Sequence, residues 1–355
     1  MKKHNFSSGP AILPQSVMEE AAKAVVDWNG IGLSVLEMSH RSKEFTAVME
    51  EAQQLTKELL HIGDDYSVLF LTGGASSQFY MTAMNFLEQN ETACYIDTGN
   101  WSAKAINESK IFGNIEVIAS SKDRNYVYIP KEFTLPSHAK YLHITTNNTV
   151  QGTQFHHIPN VDVPIVADMS SDIFSRPIDI KKYGLIYAGA QKNMGPAGTT
   201  MVIVRKDLVG KLSRQIPTML DYATHIKKGS MFNTPPVFPV FVSMLTLRWL
   251  KAQGGVEAME QINIAKAKML YDEIDRNSCF RGRVDEADRS LMNVTFFAET
   301  PELEKAFHEI CEAENISQIN GYRTIGGFRA SIYNAMPTSS VEHLVQVMKR
   351  FEEQA

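Results

Sequence analysis

Short apolar runs punctuate the first two-thirds of the chain, and each leads into a segment with helical periodicity. No other feature constrains the fold as much. The runs are Val68–Leu71, Ala93–Asp97, Ile115–Ala119, Tyr141–Thr145, Pro164–Asp168, Leu185–Ala188 and Thr200–Val204. They are continuously apolar and often β-branched, as strands covered on both faces are. The clearest helix between them is Ser42–His61. There Phe45, Val48, Met49, Ala52, Leu55 and Leu59 form one apolar stripe, with Lys43, Glu50, Glu51, Lys57 and Glu58 largely elsewhere. Gln78–Leu87 and Ser102–Phe112 read as two more helices. Alternation of this kind predicts an α/β fold with a mainly parallel central sheet.

The pattern changes after about Gly255. A long helix near Val256–Arg276 leads to a strand at Leu291–Phe297, a helix capped by Thr300 with Pro301 in its first turn, and a strand at Phe328–Tyr333. Ser339-Ser340-Val341-Glu342 has capping-box spacing and is expected to open the last helix. The division expected is a large unit over residues 15–255 and a smaller α+β unit over 256–355, with Gly254-Gly255 as the hinge. Residues 1–14 carry Gly9, Pro10 and Pro14; they are expected to be extended and to pack on either unit.

A chain of 355 residues can bury a sizeable core without disulfides or a structural metal. The net charge of −5 argues against a dedicated nucleic-acid or acidic-membrane partner while leaving room for a local basic pocket. Cys94, Cys279 and Cys311 make neither a disulfide framework nor a zinc spacing, which fits a reducing cytoplasm. No metal site is expected. Met1-Lys2-Lys3-His4-Asn5 has no apolar segment behind its lysines, so no targeting signal is expected. Val237–Leu250 is too short to span a bilayer and reads as a buried helix. The Met231–Leu250 stretch suits the core or a dimer interface, and His156-His157 suit a loop.

Ligands of open α/β sheets bind beyond the carboxyl ends of the strands, so those ends matter most. Thr72-Gly73-Gly74-Ala75-Ser76-Ser77 joins a strand to a helix. It reads either as a phosphate cradle of backbone N–H groups at a helix N-terminus or as a tight turn capped by Ser76 or Ser77. Trp101 in Asp97-Thr98-Gly99-Asn100-Trp101-Ser102 offers a flat face for stacking or a core plug. Asp168 ends an apolar strand, where a carboxylate needs a strong partner. Lys192 follows a buried strand amid small residues, where desolvation makes an amine competent for Schiff-base chemistry. A phosphate needs the helix N-terminus, an aromatic ring the stacking face, a ring nitrogen the acid and an aldehyde the lysine. Pyridoxal 5′-phosphate asks for all four.

Longer motifs support this. They include Asn5–Ala11, Met38-Ser39-His40-Arg41-Ser42-Lys43-Glu44-Phe45, Gly73–Phe79, Thr98–Trp101, Asn147–Gly152, Asp168–Arg176, Ala190–Pro196, Asn233-Thr234-Pro235-Pro236 and Gly326–Ala335. On these the chain resembles the phosphoserine aminotransferase family, class V members of the fold-type-I pyridoxal-phosphate enzymes, over essentially its whole length. The resemblance implies glutamate and 3-phosphohydroxypyruvate as substrates, giving O-phosphoserine and 2-oxoglutarate in serine biosynthesis. In many bacteria the family also acts on a phosphorylated hydroxythreonine precursor in vitamin B6 synthesis. By the resemblance Lys192 would carry the cofactor and shuttle the proton, Asp168 would pair with the ring nitrogen, and Trp101 would stack on the ring. Thr149 would bond near the ring hydroxyl. The backbone at Ala75 and Ser76, with Gln191, would hold the phosphate. Asn233 and Thr234 would reach that phosphate from the other subunit, which implies a homodimer with shared sites.

The same resemblance assigns Arg329 to the substrate α-carboxylate, and Arg41 and Arg323 to the second anionic group. One departure stands out. Gly321-Tyr322-Arg323-Thr324-Ile325-Gly326-Gly327 has Tyr322 where the family usually has histidine near the substrate phosphate. A phenol donates one neutral hydrogen bond but brings no positive charge. Against these readings stands a Rossmann-type oxidoreductase, whose glycine fingerprint is missing. A cofactor-binding protein without turnover fits poorly, because Lys192, Asp168 and the arginines are all present. A cysteine desulfurase lacks its loop cysteine. Class V enzymes with other small amino-acid and oxo-acid pairs are disfavoured by the Ser-His-Arg-Ser and Arg-Ala-Ser-Ile-Tyr-Asn-Ala segments.

Overall fold

A computed structural model describes residues 3–354. The seven strands expected in the first two-thirds of the chain all form, and they join one seven-stranded sheet. Its spatial order is Tyr66–Leu71, Thr200–Arg205, Tyr183–Gly189, Ile165–Asp168, Ala139–Thr145, Thr92–Asp97 and Asn114–Ser120. Thr200–Arg205 runs antiparallel to both neighbours, and the remaining pairs are parallel. Register aligns the chemically pointed strand ends: Thr145 sits opposite Asp168, and Asp168 opposite Tyr187.

Alternation within the strands sends side chains to two apolar layers. Val68 and Phe70 join a cluster with the helices Gln15–Val26, Lys43–Leu59 and Val237–Ala252, while Leu69 and Leu71 face a second cluster with Gly74–Phe86 and Asn100–Ser109. The whole predicted stripe of the Lys43–Leu59 helix is buried. Ser42 begins that helix by accepting from Phe45 N–H at 3.2 Å, a cap worth about 1 kcal/mol.

Past Gly255 the long helix Gly255–Arg276 leads to a three-stranded antiparallel sheet of Phe280–Gly282, Asn293–Ala298 and Phe328–Ser331. These elements and the helices Pro301–Ala313 and Thr338–Glu352 enclose a separate cluster. Its centre is Phe280, Phe296, Phe307, Phe328 and Phe351. Thr300 caps its helix as expected, accepting from Leu303 N–H at 3.2 Å. The last helix departs from expectation. It starts earlier, at Thr338 behind Pro337, and no side chain caps it. Proline pre-sets the backbone for entry, so the Ser339–Glu342 capping box is not used; Ser340 Oγ instead meets His4 Nδ1 at 2.9 Å.

The N-terminal arm packs on both apolar clusters rather than one, with Phe6 and Ile12 on the smaller and Leu13 on the larger. His4–Asn5 pairs with Ile316–Ser317, and Phe6 is buried in the smaller cluster. Further on, Ala11 N–H donates to Gln191 O at 2.8 Å. No helix among the described residues is long and apolar enough to cross a membrane. His156 and His157 lie in a loop, and no group of metal-ligating side chains forms among the described residues.

Candidate active site

The carboxyl ends of the central strands bring Lys192, Thr149, Trp101 and Asp168 together. The Lys192 amine donates to Thr149 Oγ1 at 2.7 Å and lies 5.8 Å from the centre of the Trp101 ring. Burial lowers its pKa to about 8, against the opposing field of Asp168 and with Arg329 adding to the depression. A lowered pKa leaves far more free amine at neutral pH than an ordinary lysine has. Thr149 is held by a tight hairpin in which Asn147–Asn148 pairs with Thr153–Gln154.

Asp168 is buried, and its carboxylate accepts from Ser170 N–H at 2.9 Å. Burial pushes its carboxyl up, and nearby Lys192 and the Ser170 bonds pull it back. No ion pair holds it among the described residues. A buried carboxylate with capacity to spare suits an N–H donor from a bound group. Its own carbonyl is fixed by Thr146 N–H at 3.0 Å, which sets the strand end.

Trp101 sits in the first turn of the Asn100–Ser109 helix, and its indole Nε1 is buried without a partner among the described residues. The first turn is fastened by Ser102 Oγ, which accepts from the N–H groups of Thr98 and Gly99 at 2.9 Å each. At the other cradle the helix begins at Gly74, with Gly73 as its cap at φ +98° and Gly74 at φ +67°. Those left-handed backbones favour glycine and turn the chain so sharply that neither Ser76 nor Ser77 is the cap. The amides of Gly74, Ala75 and Ser76 thus fall in the first helical turn, where no intrahelical carbonyl precedes them. That turn can take an anion. These features fit a planar, phosphorylated ring with a protonated ring nitrogen.

Arg329 extends from the small sheet towards this centre. Its guanidinium donates to Ser8 Oγ at 2.7 Å and to Thr149 O at 3.3 Å. Burial draws its pKa down. Arg41 and Arg323 behave differently. Both are exposed, and neither side chain has a hydrogen bond or ion pair among the described residues. Tyr322 is half-buried beside Arg323. Asn233 Nδ2 donates to Thr234 O at 3.2 Å, and Asn233 shares a cavity with Thr72, Gly73 and Ser77 of its own chain. Gln191 is half-buried, with its carbonyl taken by Ala11.

Several residues of the site carry no sequence signal of their own. Ser8 bonds Arg329, and Tyr333 OH donates to Ser8 O at 2.8 Å while accepting from Asn293 Nδ2 at 3.1 Å. Asn193, next to Lys192, accepts from Asn334 N–H at 3.0 Å. Ser8, Asn193 and Tyr333 lie inside the motifs Asn5–Ala11, Ala190–Pro196 and Gly326–Ala335, but nothing local to any of them marks its contact with the site.

Comparison with known proteins agrees with this geometry. Residues 3–344 match the family model described as aminotransferase class-V. A phosphoserine aminotransferase of Flavobacterium johnsoniae is 56% identical over 353 residues, with 99% of each chain covered. The solved phosphoserine aminotransferase of Bacillus circulans subsp. alkalophilus superimposes with a TM-score of 0.97 at 47% identity, again covering 99% of each chain. A phosphoserine aminotransferase of Trichomonas vaginalis, solved with pyridoxal phosphate bound, gives a TM-score of 0.93 at 36% identity over 98% of this chain and 100% of that one.

Proposed function

The chain belongs to the class-V aminotransferases, within the phosphoserine aminotransferases, and from that premise we propose how its residues do the work. It moves an amino group between glutamate and 3-phosphohydroxypyruvate, giving O-phosphoserine and 2-oxoglutarate. The observation that carries this is a desolvated lysine amine beside Trp101, with Asp168 buried nearby.

Pyridoxal phosphate, when bound, supplies an aldehyde for the amino group and a conjugated sink for the electrons left at Cα. The amides of Gly74, Ala75 and Ser76 bind its phosphate, with Gln191 at the rim and Asn233 and Thr234 reaching in from a partner subunit. Trp101 covers one ring face and keeps water from it. Asp168 holds the proton on the ring nitrogen, a task its buried carboxylate performs best when paired with a cation. Thr149 orients the ring hydroxyl side and parks the Lys192 amine at 2.7 Å. Lys192 moves the proton at the substrate Cα, for which its pKa of about 8 is well matched.

Arg329 takes the substrate α-carboxylate through its planar fork. Arg41, Arg323 and Tyr322 meet the far anionic group, whether phosphate or carboxylate. The exposure of Arg41 and Arg323, without side-chain partners among the described residues, supports a homodimer in which sites are shared. Residues 15–255 act as the cofactor unit and 256–355 as the unit that delivers Arg329, with residues 3–14 bridging the two; separate apolar clusters support this division, with Val256 and Met259 packing on the larger one. A cytoplasmic location is supported by the three unpaired buried thiols.

The test is an assay of purified enzyme with glutamate and 3-phosphohydroxypyruvate. Stoichiometric 2-oxoglutarate and phosphoserine are expected, with a yellow protein that bleaches on phosphoserine and recovers with 2-oxoglutarate. A colourless protein that Lys192→Ala leaves unchanged overturns the reading.

A further inference from the structure

Lys266 lies in the middle of the Gly255–Arg276 helix and is fully buried, with 0% of its surface exposed. No carboxylate pairs with it among the described residues. Its ammonium instead donates to three backbone carbonyls: Ile332 O at 3.1 Å, Tyr333 O at 2.8 Å and Met336 O at 3.3 Å. Three donors meet three acceptors, which is the full capacity of an ammonium. A buried charge with no counter-ion is expensive, so its presence calls for a reason.

The turn it grips is the one on which the substrate end of the site depends. Residues 332–336 leave the strand that carries Arg329 before the last helix begins. From this turn the Tyr333 phenol donates to Ser8 O, and Ser8 Oγ receives Arg329. Asn334 in the same turn donates to Asn193, the neighbour of Lys192, and to Phe174 O at 2.9 Å. One helical turn before Lys266, Asn263 binds Asn334 Oδ1 at 2.9 Å. The Asn263 and Lys266 side chains thus pin both ends of a turn that touches both the arginine arm and the lysine loop.

We propose that Lys266 is a positioning residue for transamination: it fixes the Tyr333–Met336 turn, and through Tyr333 and Ser8 it sets the Arg329 fork for the substrate carboxylate. This rests on the reading of Arg329 given above. An amide in its place offers two donors for three carbonyls, and a thioether offers none. Burial, with no charged neighbour contributing, also lowers the Lys266 pKa to about 7. The three carbonyls oppose that trend by bonding the charged form.

The experiment compares holoenzyme carrying Lys266→Met, Lys266→Gln, Tyr333→Phe and the Lys266→Gln/Tyr333→Phe pair. It reads KM for glutamate and phosphoserine, kcat, melting temperature and the calorimetric Kd for glutarate, an unreactive dicarboxylate. A fork displaced by a fraction of an ångström should raise KM and the glutarate Kd about tenfold in Lys266→Met and less in Lys266→Gln, with kcat changed less. The double variant should match the worse single variant, because both act through one turn. A purely structural lysine predicts a lower melting temperature and less active protein with KM and Kd unchanged, which overturns the proposal. If Lys266→Met does not fold, Lys266→Gln and the cycle decide it; additive effects overturn it. Wild-type enzyme that does not turn over glutamate would instead break the reading of Arg329 and of the reaction.

Discussion

The two ends of the site are built in opposite ways. Where the cofactor is proposed to sit, the side chains are held within one chain: Lys192 by Thr149, Asp168 by Ser170, the first turn under Trp101 by Ser102. Arg41 and Arg323, proposed above to meet the far anion, stand exposed without side-chain partners among the described residues, and His40 beside Arg41 leaves its Nε2 buried and unbonded there. Arg329 reaches from the small sheet and is anchored to Ser8 and Thr149. The lesson concerns preorganisation. A group that stays through every turnover can have its site frozen into the sheet. A site that must accept a phosphate in one half-reaction and a carboxylate in the other gains from long arginines that are not yet committed.

If that contrast holds, the steepest loss comes from the frozen end. Lys192→Ala should lower kcat/KM by a factor on the order of 10⁴, the scale of a lost proton shuttle. The amine also sets a pH limb. Its pKa is lowered to about 8, so the free amine dominates above that pH and the ammonium below it. Uptake of pyridoxal phosphate by cofactor-free enzyme should therefore slow about tenfold for each pH unit below about 8 and level off above it. A rate that is flat between pH 6 and 9 contradicts the assignment. Next in size is Arg329→Leu. Removing a half-buried fork should raise KM for both amino-acid substrates about 10²-fold or more, with cofactor binding retained. A rise under fivefold would move the carboxylate site elsewhere.

The same contrast decides what could be read without coordinates. The parallel sheet was legible because strands buried on both faces have to be continuously apolar, as Leu185–Ala188 is. That Lys192, Asp168 and Trp101 converge was legible because they sit at strand ends, where position along the chain and position in space coincide. Ser8, Tyr333 and Asn334 were not. They enter the site through long-range contacts between the arm, the smaller unit and the lysine loop, and no local pattern encodes such contacts. Lys266 was hidden for a second reason: on a helical wheel it passes for one more solvated lysine, and only the three carbonyls reveal its burial.

A smaller effect tests whether the uncommitted end is finished by a second copy. Arg41→Ala and Lys192→Ala should each be crippled alone. If Arg41 serves its partner's site, mixing equal amounts after subunit exchange forms hybrid dimers with one intact site each. Activity should then recover to about a quarter of wild type, since half the dimers are hybrids. No recovery, with exchange verified, would place Arg41 in its own chain's site and dissolve the contrast.

The smallest effect is also the most specific. Tyr322 stands beside Arg323 where the resembling family has histidine, and it is half-buried in the single chain. Its phenol offers one neutral donor to whatever anion Arg323 receives. An imidazolium there would add a charge, and Coulomb attraction to a dianionic phosphate is about twice that to a carboxylate at equal distance. Tyr322→His should therefore tighten phosphoserine by about two- to fivefold and glutamate by less, the scale of a partly solvated ion pair. The gain depends on the proton: histidine ordinarily titrates near 6.5, so the preference should be clear at pH about 6 and fade by pH about 8. Equal tightening of both substrates, or a preference indifferent to pH, would mean that the histidine acts by shape rather than charge. No change in either affinity would put Tyr322 outside the anion site and leave the arginines to discriminate alone.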